Sequence, residues 1–433
     1  MTGAFFTFEL PPFSREKLDS PEMETIRLFK ALTRDQRNTF IACFLGWALA
    51  ALDFFLLTFV FSAVGQEFGR TVPEVAFTSM LTLMMRPVGA LLFGLLGDRF
   101  GRRIPLMIDI IFYSVIELLT AFSPNFTVFL ILRALFGVGM GGEWGLGASL
   151  AMETLPAKAR GLFSGILQQG YAFGFLLAAI VYWLVFPHFG WRGLFVAGAI
   201  PALLVLFIRT KVPESPAWQR QKTSLAAKIS RPFSRTVREH WRLFLYAILL
   251  MTAFNCMSHG TQDLYPTFLQ KQCGLDVAQV RNVSIIYSLG AIFGGTIFGA
   301  LSQRWGRRHT IIVAAGLGML LIPAWMFSPS LGLLIAGGFC MQFMVQGAWG
   351  VVPAHLNELS PPELRGTFPG FAYQLGNLFA APIAVVEAKL AESFPTASGG
   401  AGYAASLGIV TVIVFIVLIV LAKVGREARG IEF

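Results

Sequence analysis

The chain has 433 residues, of which 55% are hydrophobic and only 13% charged, with a mean hydropathy of +0.66. A soluble domain carries about 25% charged residues, so a chain this apolar, with 42 Phe, reads as an all-α polytopic membrane protein and not as a soluble enzyme. A net charge of +10 would suit nucleic acid, but the placement of the basic residues along the chain excludes that partner.

Residues 1–37 are polar or mixed and hold no early apolar core with a small-residue cleavage site, so no cleavable signal is predicted. Apolar runs long enough for a hydrocarbon core of about 20 helical residues then fall at 38–62, 76–97, 104–122, 127–152, 161–186 and 191–209. A basic stretch, 210–240, follows, and six more runs occupy 241–269, 281–301, 309–328, 331–355, 365–391 and 403–423. The hairpins SPN (123–125) and SPS (328–330) separate neighbouring runs most sharply. These spans divide the chain into an N-terminal segment (1–37), a first bundle (38–209), a linker (210–240), a second bundle (241–423) and a tail (424–433). Of the 34 Lys and Arg, all but seven fall on the side of the termini and linker; Arg70, Arg192, Lys271, Arg281 and Lys389 lie opposite, and Arg86 and Arg133 lie within spans. By the positive-inside rule both termini and the linker are expected in the cytoplasm.

The halves echo each other. GLLGDRFGRR (94–103) returns as GALSQRWGRR (299–308), and at the same displacement Trp144 matches Trp349, Glu153 matches Glu358, and Arg160-Gly161 matches Arg365-Gly366. Duplication of this kind in a twelve-span chain marks a transporter with a midplane site between two bundles. Other patterns have plainer readings. Gly137, Gly139 and Gly142 fit G-x-G-x-x-G but lie in an apolar helix without the strand a dinucleotide site needs, so close helix packing is expected. His355 and Glu358 lack a third metal ligand and are read as a solvated helix end. Of the four Cys, Cys43, Cys256 and Cys340 lie in apolar runs and read as free, buried thiols. No cofactor or metal is expected.

An ionisable group inside a membrane is a functional candidate by default. Those in the spans are Asp53, Arg86, Asp109, Glu117, Arg133, Glu143, His259 and Asp263. Asp109 and Glu117 are read mainly as structural partners of neighbouring helices. Arg133 has a coupling role or an ion pair with an acidic neighbour as alternatives, and Glu143 is open between a structural role and one in transport. The densest polar stretch is NCMSHGTQDLYPT (255–267), where Asn255, His259, Asp263 and Thr267 recur every four residues. On one helix they form a stripe about 18 Å long at 1.5 Å per residue, flanked by Ser258 and Gln262. A water-filled path accounts for six polar groups on one face. Pro266 is expected to permit a bend near its outer end.

GLLGDRFGRR resembles the loop between the second and third helices of the major facilitator superfamily. Arg133 with Gly137, Gly139 and Gly141 resembles its fourth-helix motif, and VPESPAW (212–218) the sequence many members carry after the sixth helix. The resemblance covers nearly the whole chain and implies the major facilitator fold, twelve transmembrane helices in two pseudo-symmetric six-helix bundles, working by alternating access. It also implies a gate at Asp98, Arg99, Arg102 and Arg103, with Asp98 meeting a neighbouring helix terminus. Gln303 stands where the second copy would repeat Asp98, so that contact should be asymmetric. The stripe N-x-x-S-H-x-T-Q-D-x-x-x-T is similar to the seventh-helix signature of the fungal lactate permeases, of the sialate:proton symporter family. That similarity implies that Asn255, His259, Gln262, Asp263 and Thr267 line a substrate and proton path, with Arg86, Gln374 and Asn377 handling the carboxylate. The chemistry agrees: Arg offers a carboxylate a fork that Lys lacks, and Gln374 and Asn377, three apart, face one cavity. A co-transported proton cancels the anion's charge; His259 titrates near neutrality, Asp263 and Asp53 are its rivals, and Asp263 is favoured because a desolvated carboxyl is neutral when protonated. The expectation is a monomeric, proton-coupled symporter of lactate- or pyruvate-like acids in a plasma (bacterial inner) membrane. Sialate, aromatic or other organic acids are alternative substrates, and a non-transporting receptor on the same fold is the alternative of a different class. Sialate carriers typically have two extra central helices, which the 210–240 linker does not supply.

Overall fold

The first span begins at a sequence-encoded cap. The Gln36 amide donates to the Thr33 hydroxyl at 3.2 Å and the Thr33 amide to the Gln36 side chain at 3.0 Å, which satisfies two of the donors a helix start leaves free. The structure is a computed structural model describing residues 27–225, 233–328, 330–396, 400 and 402–433. Residues 1–26 of the N-terminal segment and 226–232 of the linker lie outside the described residues.

In the first half the helices are α1 (Arg34–Phe59), α2 (Phe61–Phe68), α3 (Val72–Phe100), α4 (Arg103–Ala121), α5 (Phe126–Thr154), α6 (Arg160–Gln168), α7 (Gly170–Ala197) and α8 (Leu204–Lys211). Two short helices, α9 (Pro216–Leu225) and α10 (Phe233–Glu239), belong to the linker. The second half holds α11 (Trp241–Gln262), α12 (Tyr265–Lys271), α13 (Val277–Trp305), α14 (Arg307–Met326), α15 (Leu331–Trp349), α16 (Val352–Leu359), α17 (Phe368–Ala380), α18 (Ile383–Glu392) and α19 (Tyr403–Val424). Among the described residues, ten helical stretches are long and apolar enough to cross a membrane. The twelve spans of the sequence reading become ten because two are broken. Gly190, at φ +60 and ψ −164, turns the chain between the fifth and sixth spans, and the sixth is completed through a 3-10 turn (Ile200–Leu203) and α8. The expected continuous eleventh span divides into α17 and α18 around Pro382, which has no amide hydrogen to continue the ladder.

The seventh span is also interrupted. α11 ends at Gln262 with Asp263 as its cap, and α12 restarts with Pro266 in its first turn, a position where the missing donor costs nothing. The bend expected at Pro266 is therefore present, and the single unbroken stripe from Asn255 to Thr267 is not: Thr267 belongs to the second helix.

Each half is held by close backbone approach. A Cβ on Gly137 would lie 2.2 Å from the Thr82 carbonyl oxygen, and one on Gly142 would lie 2.6 Å from Cβ of Phe93. The glycine run is thus a helix-packing surface, as small residues in spans commonly are. The second half repeats the arrangement, with Gly294 packed against the Phe343 carbonyl. Met80, Met84, Val88 and Leu92, spaced by four along α3, are 42–52% exposed. Such an outward apolar stripe is what a lipid-facing helix presents.

Candidate substrate and gating site

Arg86 lies in α3 and is 2% exposed. Its guanidinium carbon sits 5.9 Å from the Trp47 ring of α1 and 5.8 Å from the Tyr373 ring of α17, so residues of both halves flank it. Such cation–π contacts hold a guanidinium without neutralising it, and its Nε and Nη2 have no hydrogen-bond partner. Gln374 is fully buried, and neither its amide oxygen nor its nitrogen has a partner. Unpaired donors at this depth are costly and suit a site that receives a polar group.

The polar residues of the seventh span separate into two groups. His259 Nδ1 lies 3.1 Å from Asp263 Oδ2, and its Nε2 lies 3.2 Å from Asn377 Oδ1. His259 and Asp263 side chains are 35% and 44% exposed, so this group faces open space. Both facing atoms are acceptors, so imidazolium satisfies both and neutral imidazole one. Gln262 and Asn255 turn away. Gln262 donates to Ser258 at 2.9 Å and to Gln342 of α15 at 3.1 Å, whereas Asn255 is 3% exposed and donates to its own helix at the Met251 carbonyl, 2.7 Å away.

Asp53 stands apart from this group. It is buried with both oxygens unpartnered, near Glu117 and Arg133 inside the first half. Arg133 is paired with Glu117 and also donates to Thr120 at 3.1 Å, the ion-pair reading of that residue. Asp109, read as a structural partner, has no hydrogen-bond partner on either oxygen. Cys43 is buried, whereas Cys256 and Cys340 are only half-buried. Sequence reasoning missed the aromatic walls: Trp144 packs tilted against Tyr373 at 4.6 Å, and Trp47 stacks on Tyr171 at 5.3 Å. The signal available was Tyr373 next to Gln374, hidden among so many other aromatics. It also missed Glu387, buried in α18 with both oxygens unpartnered.

At the basic side, Asp98 caps the start of α17. Its carboxylate accepts from the amides of Gly366 at 2.6 Å and Thr367 at 3.1 Å, and from the Thr367 hydroxyl at 2.6 Å. Arg102 lies 3.3 Å from Asp98 and is bonded twice to Glu153, at 2.9 and 3.2 Å. Arg103 donates to the Arg209 carbonyl at 2.5 Å, while exposed Arg99 lies over its neighbour Phe100. The second half reproduces the core of this network: Arg307 bonds Glu358 at 2.9 Å. His355 and Glu358, expected to be solvated, are 1% and 3% exposed, because Glu358 is the buried counter-ion of Arg307.

Gly101 and Gly306 both adopt φ +95, and each leaves room for a carboxylate. Glu214 accepts from the amides of Arg102 at 2.8 Å and Arg103 at 3.2 Å; Glu427 accepts from those of Arg307 at 3.2 Å and Arg308 at 3.0 Å. Burial pushes the Glu214 carboxyl above its usual range despite these amides. Burial also acts upward on Glu427, but backbone amides hold it below that range. The expected asymmetry is present as geometry: Gln303 accepts from Gly161 of the other half through one bond at 3.2 Å, where Asp98 accepts three. Further cross-half bonds, Ser149 to the Arg365 carbonyl at 2.6 Å and Ser164 to the Gly350 carbonyl at 2.7 Å, lie on the same side.

Two six-helix halves meeting around a buried arginine, closed at one end by a duplicated charge network, define a membrane transporter fold. The comparisons give the family. Residues 42–237 match the family "Sugar (and other) transporter" and residues 249–430 match "Major Facilitator Superfamily". A carboxylic acid transporter protein homolog of Saccharomyces cerevisiae is 31% identical, covering 92% of this chain and 69% of its own length. A probable 4-methylmuconolactone transporter of Cupriavidus pinatubonensis is 32% identical over 82% of this chain and 83% of that protein. The solved proton:xylose symporter XylE superposes with a TM-score of 0.72 at 20% identity, covering 92% of this chain and 97% of that one. The chain belongs to the major facilitator superfamily.

Proposed function

We propose that the protein is a proton-coupled symporter of small monocarboxylates, of which lactate and pyruvate are representative. The observation that carries this reading is Arg86, a buried guanidinium with free donors between the two halves. A substrate carboxylate takes those donors in a bidentate contact, and Gln374 and Asn377 supply neutral hydrogen bonds. His259 and Asp263, partly exposed, receive protons from the open side. The basic side is cytoplasmic, and the cross-half bonds close it, so the site faces outward. The yeast relative's printed description, a carboxylic acid transporter homolog, supports the substrate class. An aromatic acid is the second reading, favoured by the Trp47 and Tyr373 rings beside Arg86.

In proteoliposomes, lactate uptake is expected to rise as the outside is acidified and to collapse with a protonophore. Benzoate competes if the aromatic reading holds. Uptake driven by sodium and indifferent to protonophore excludes proton coupling.

The proposed water path has its own test. In a background without the native Cys, cysteines at positions 259 and 263 are expected to react with a small water-soluble thiol reagent and to be protected by substrate. Position 255, buried and bonded within its helix, and the fully buried Phe254 position are expected to react far more slowly. Inert cysteines at 259 and 263 would mean that the polar face is packed core.

A further inference from the structure

Arg86 has an acidic neighbour that it does not bond. Glu143, in α5, is 0% exposed, and neither carboxyl oxygen has a hydrogen-bond partner. The carboxyl occupies a notch left by Gly46, where a Cβ would stand 2.4 Å from Oε1. Gly46 precedes Trp47, one of the two rings against Arg86, and Trp144, next to Glu143, packs tilted against Tyr373, the other ring. The backbone of α3 at Arg86 packs on α5 at Gly141, two residues before Glu143, where a Cβ would stand 2.0 Å from the Arg86 carbonyl oxygen, and Arg86 acts electrostatically on the Glu143 carboxyl. The other titratable groups around Glu143 are Cys43 on α1, and Asp109 and Tyr113 on α4. Arg86 is the cation among them.

A buried carboxylate without hydrogen bonds is strongly disfavoured, whereas the acid is tolerated. With Arg86 held between aromatic rings, the notch suits a protonated Glu143. An ionised Glu143 would instead draw the guanidinium to itself. Asp263 does not share this environment: it is 44% exposed and lies against His259, which suits receiving a proton from solution more than holding one away from it.

We infer that Glu143 carries the co-transported proton and couples transport by competing with the substrate carboxylate for Arg86. This rests on the symport reading above. On the open side, a proton adds to a carboxylate oxygen of Glu143, the attraction to Arg86 is released, and the substrate carboxylate takes the guanidinium. After the halves rock, the substrate leaves, the cation beside Glu143 favours loss of its proton, and the cycle resets. No bond other than O–H forms or breaks, and one proton moves with each carboxylate. The site keeps the same net charge empty and loaded, because the added proton balances the added anion.

The experiment uses the full chain in proteoliposomes with labelled lactate, read as equilibrium binding, counterflow and accumulation. Wild-type binding is expected to weaken as pH rises, because the ionised Glu143 carboxylate competes with the substrate for Arg86. Glu143→Gln is expected to bind with a flat pH profile and to retain downhill counterflow. Its accumulation under an inward gradient of about one pH unit is expected to fall from roughly tenfold, the ratio such a gradient supports with one proton per substrate, to none. Glu143→Asp, which keeps the titration, is expected to restore coupling with a displaced pH profile. Glu143→Gln that still accumulates lactate with a wild-type profile overturns the assignment. So does a folded Glu143→Gln that loses binding and counterflow together, or a Glu143→Asp that fails to restore coupling. A wild type inert towards lactate and benzoate sinks the symport reading itself and takes this assignment with it.

Discussion

Arg86→Lys is expected to weaken lactate binding about 10- to 100-fold, the equivalent of losing one charge-assisted hydrogen bond of about 1.5–3 kcal/mol. The charge is retained, so the loss isolates geometry. A guanidinium presents two parallel donors to a carboxylate while its carbon lies 5.9 and 5.8 Å from the Trp47 and Tyr373 rings. An ammonium presents a point charge, is more strongly hydrated, and has no planar face to stack. Arg86→Ala is expected to bind more weakly still, since the cation is gone. Equilibrium binding is the decisive measurement, because a folding defect lowers the number of sites whereas a lost contact raises Kd. Arg133 is the poorer candidate: its Nη2 is committed to Glu117 and Thr120 within the first half. Wild-type affinity in Arg86→Lys would show that the carboxylate is held elsewhere.

The parts of the fold legible in the sequence are those with a dense local signal. Runs of about 20 apolar residues, the repeated GRR loops, and the matched positions Glu153 and Glu358 marked the spans, the duplication and the paired charge networks. Glu427 was not visible, although it performs for the second half the capping that Glu214 performs for the first. It lies 213 residues beyond Glu214, off the displacement that relates the other pairs, because the two segments leaving the bundles differ in length. Gly190 lies in the expected gap between the runs 161–186 and 191–209, but the break at Pro382 was missed because an apolar run carries no periodicity that distinguishes one straight helix from two. Composition reports how apolar a run is, and backbone dihedrals decide whether it is continuous.

The candidate site shows the same division. Spacing of four residues placed His259 and Asp263 together, since that separation is one helical turn. It also grouped Asn255 and Gln262 with them, and those side chains turned to Met251 and Gln342 instead. Helical spacing sets which face a residue occupies; the hydrogen bonds available on the neighbouring helix set where its side chain ends. Glu143 was left open between structure and transport for a related reason. Its distinguishing feature is the absence of any bonded partner, which is a property of packing and not of the residues beside it in the chain.

Asp98→Asn is expected to change turnover far more than binding. Asp98 accepts from two amides and a hydroxyl at the start of α17, where the positive end of the helix dipole adds to the attraction. Asparagine keeps one acceptor oxygen and loses the charge, so the closed arrangement of the basic side should weaken by about 2 kcal/mol, some 30-fold in the ratio of closed to open. Since Arg86, Gln374 and Asn377 are not in that contact, Kd for lactate is expected to stay within about threefold, a change under 1 kcal/mol, while exchange slows. A cysteine replacing Ser149, whose hydroxyl bonds the Arg365 carbonyl across the closed face, reports the gate directly. In a background otherwise free of Cys, its labelling from the basic side should be slow with Asp98 present and rapid in Asp98→Asn. The reciprocal change is Gln303→Asp, which sets a carboxylate near the Gly161 amide now bonded by a neutral side chain. It should tighten the weaker contact and slow turnover from the other direction, because a carrier whose two halves separate and rejoin in each cycle is impeded by a gate held too firmly as well as by one held too loosely. Unchanged Ser149→Cys labelling in both variants, with lactate binding lost in Asp98→Asn, would place Asp98 in the substrate site and remove it from the gate.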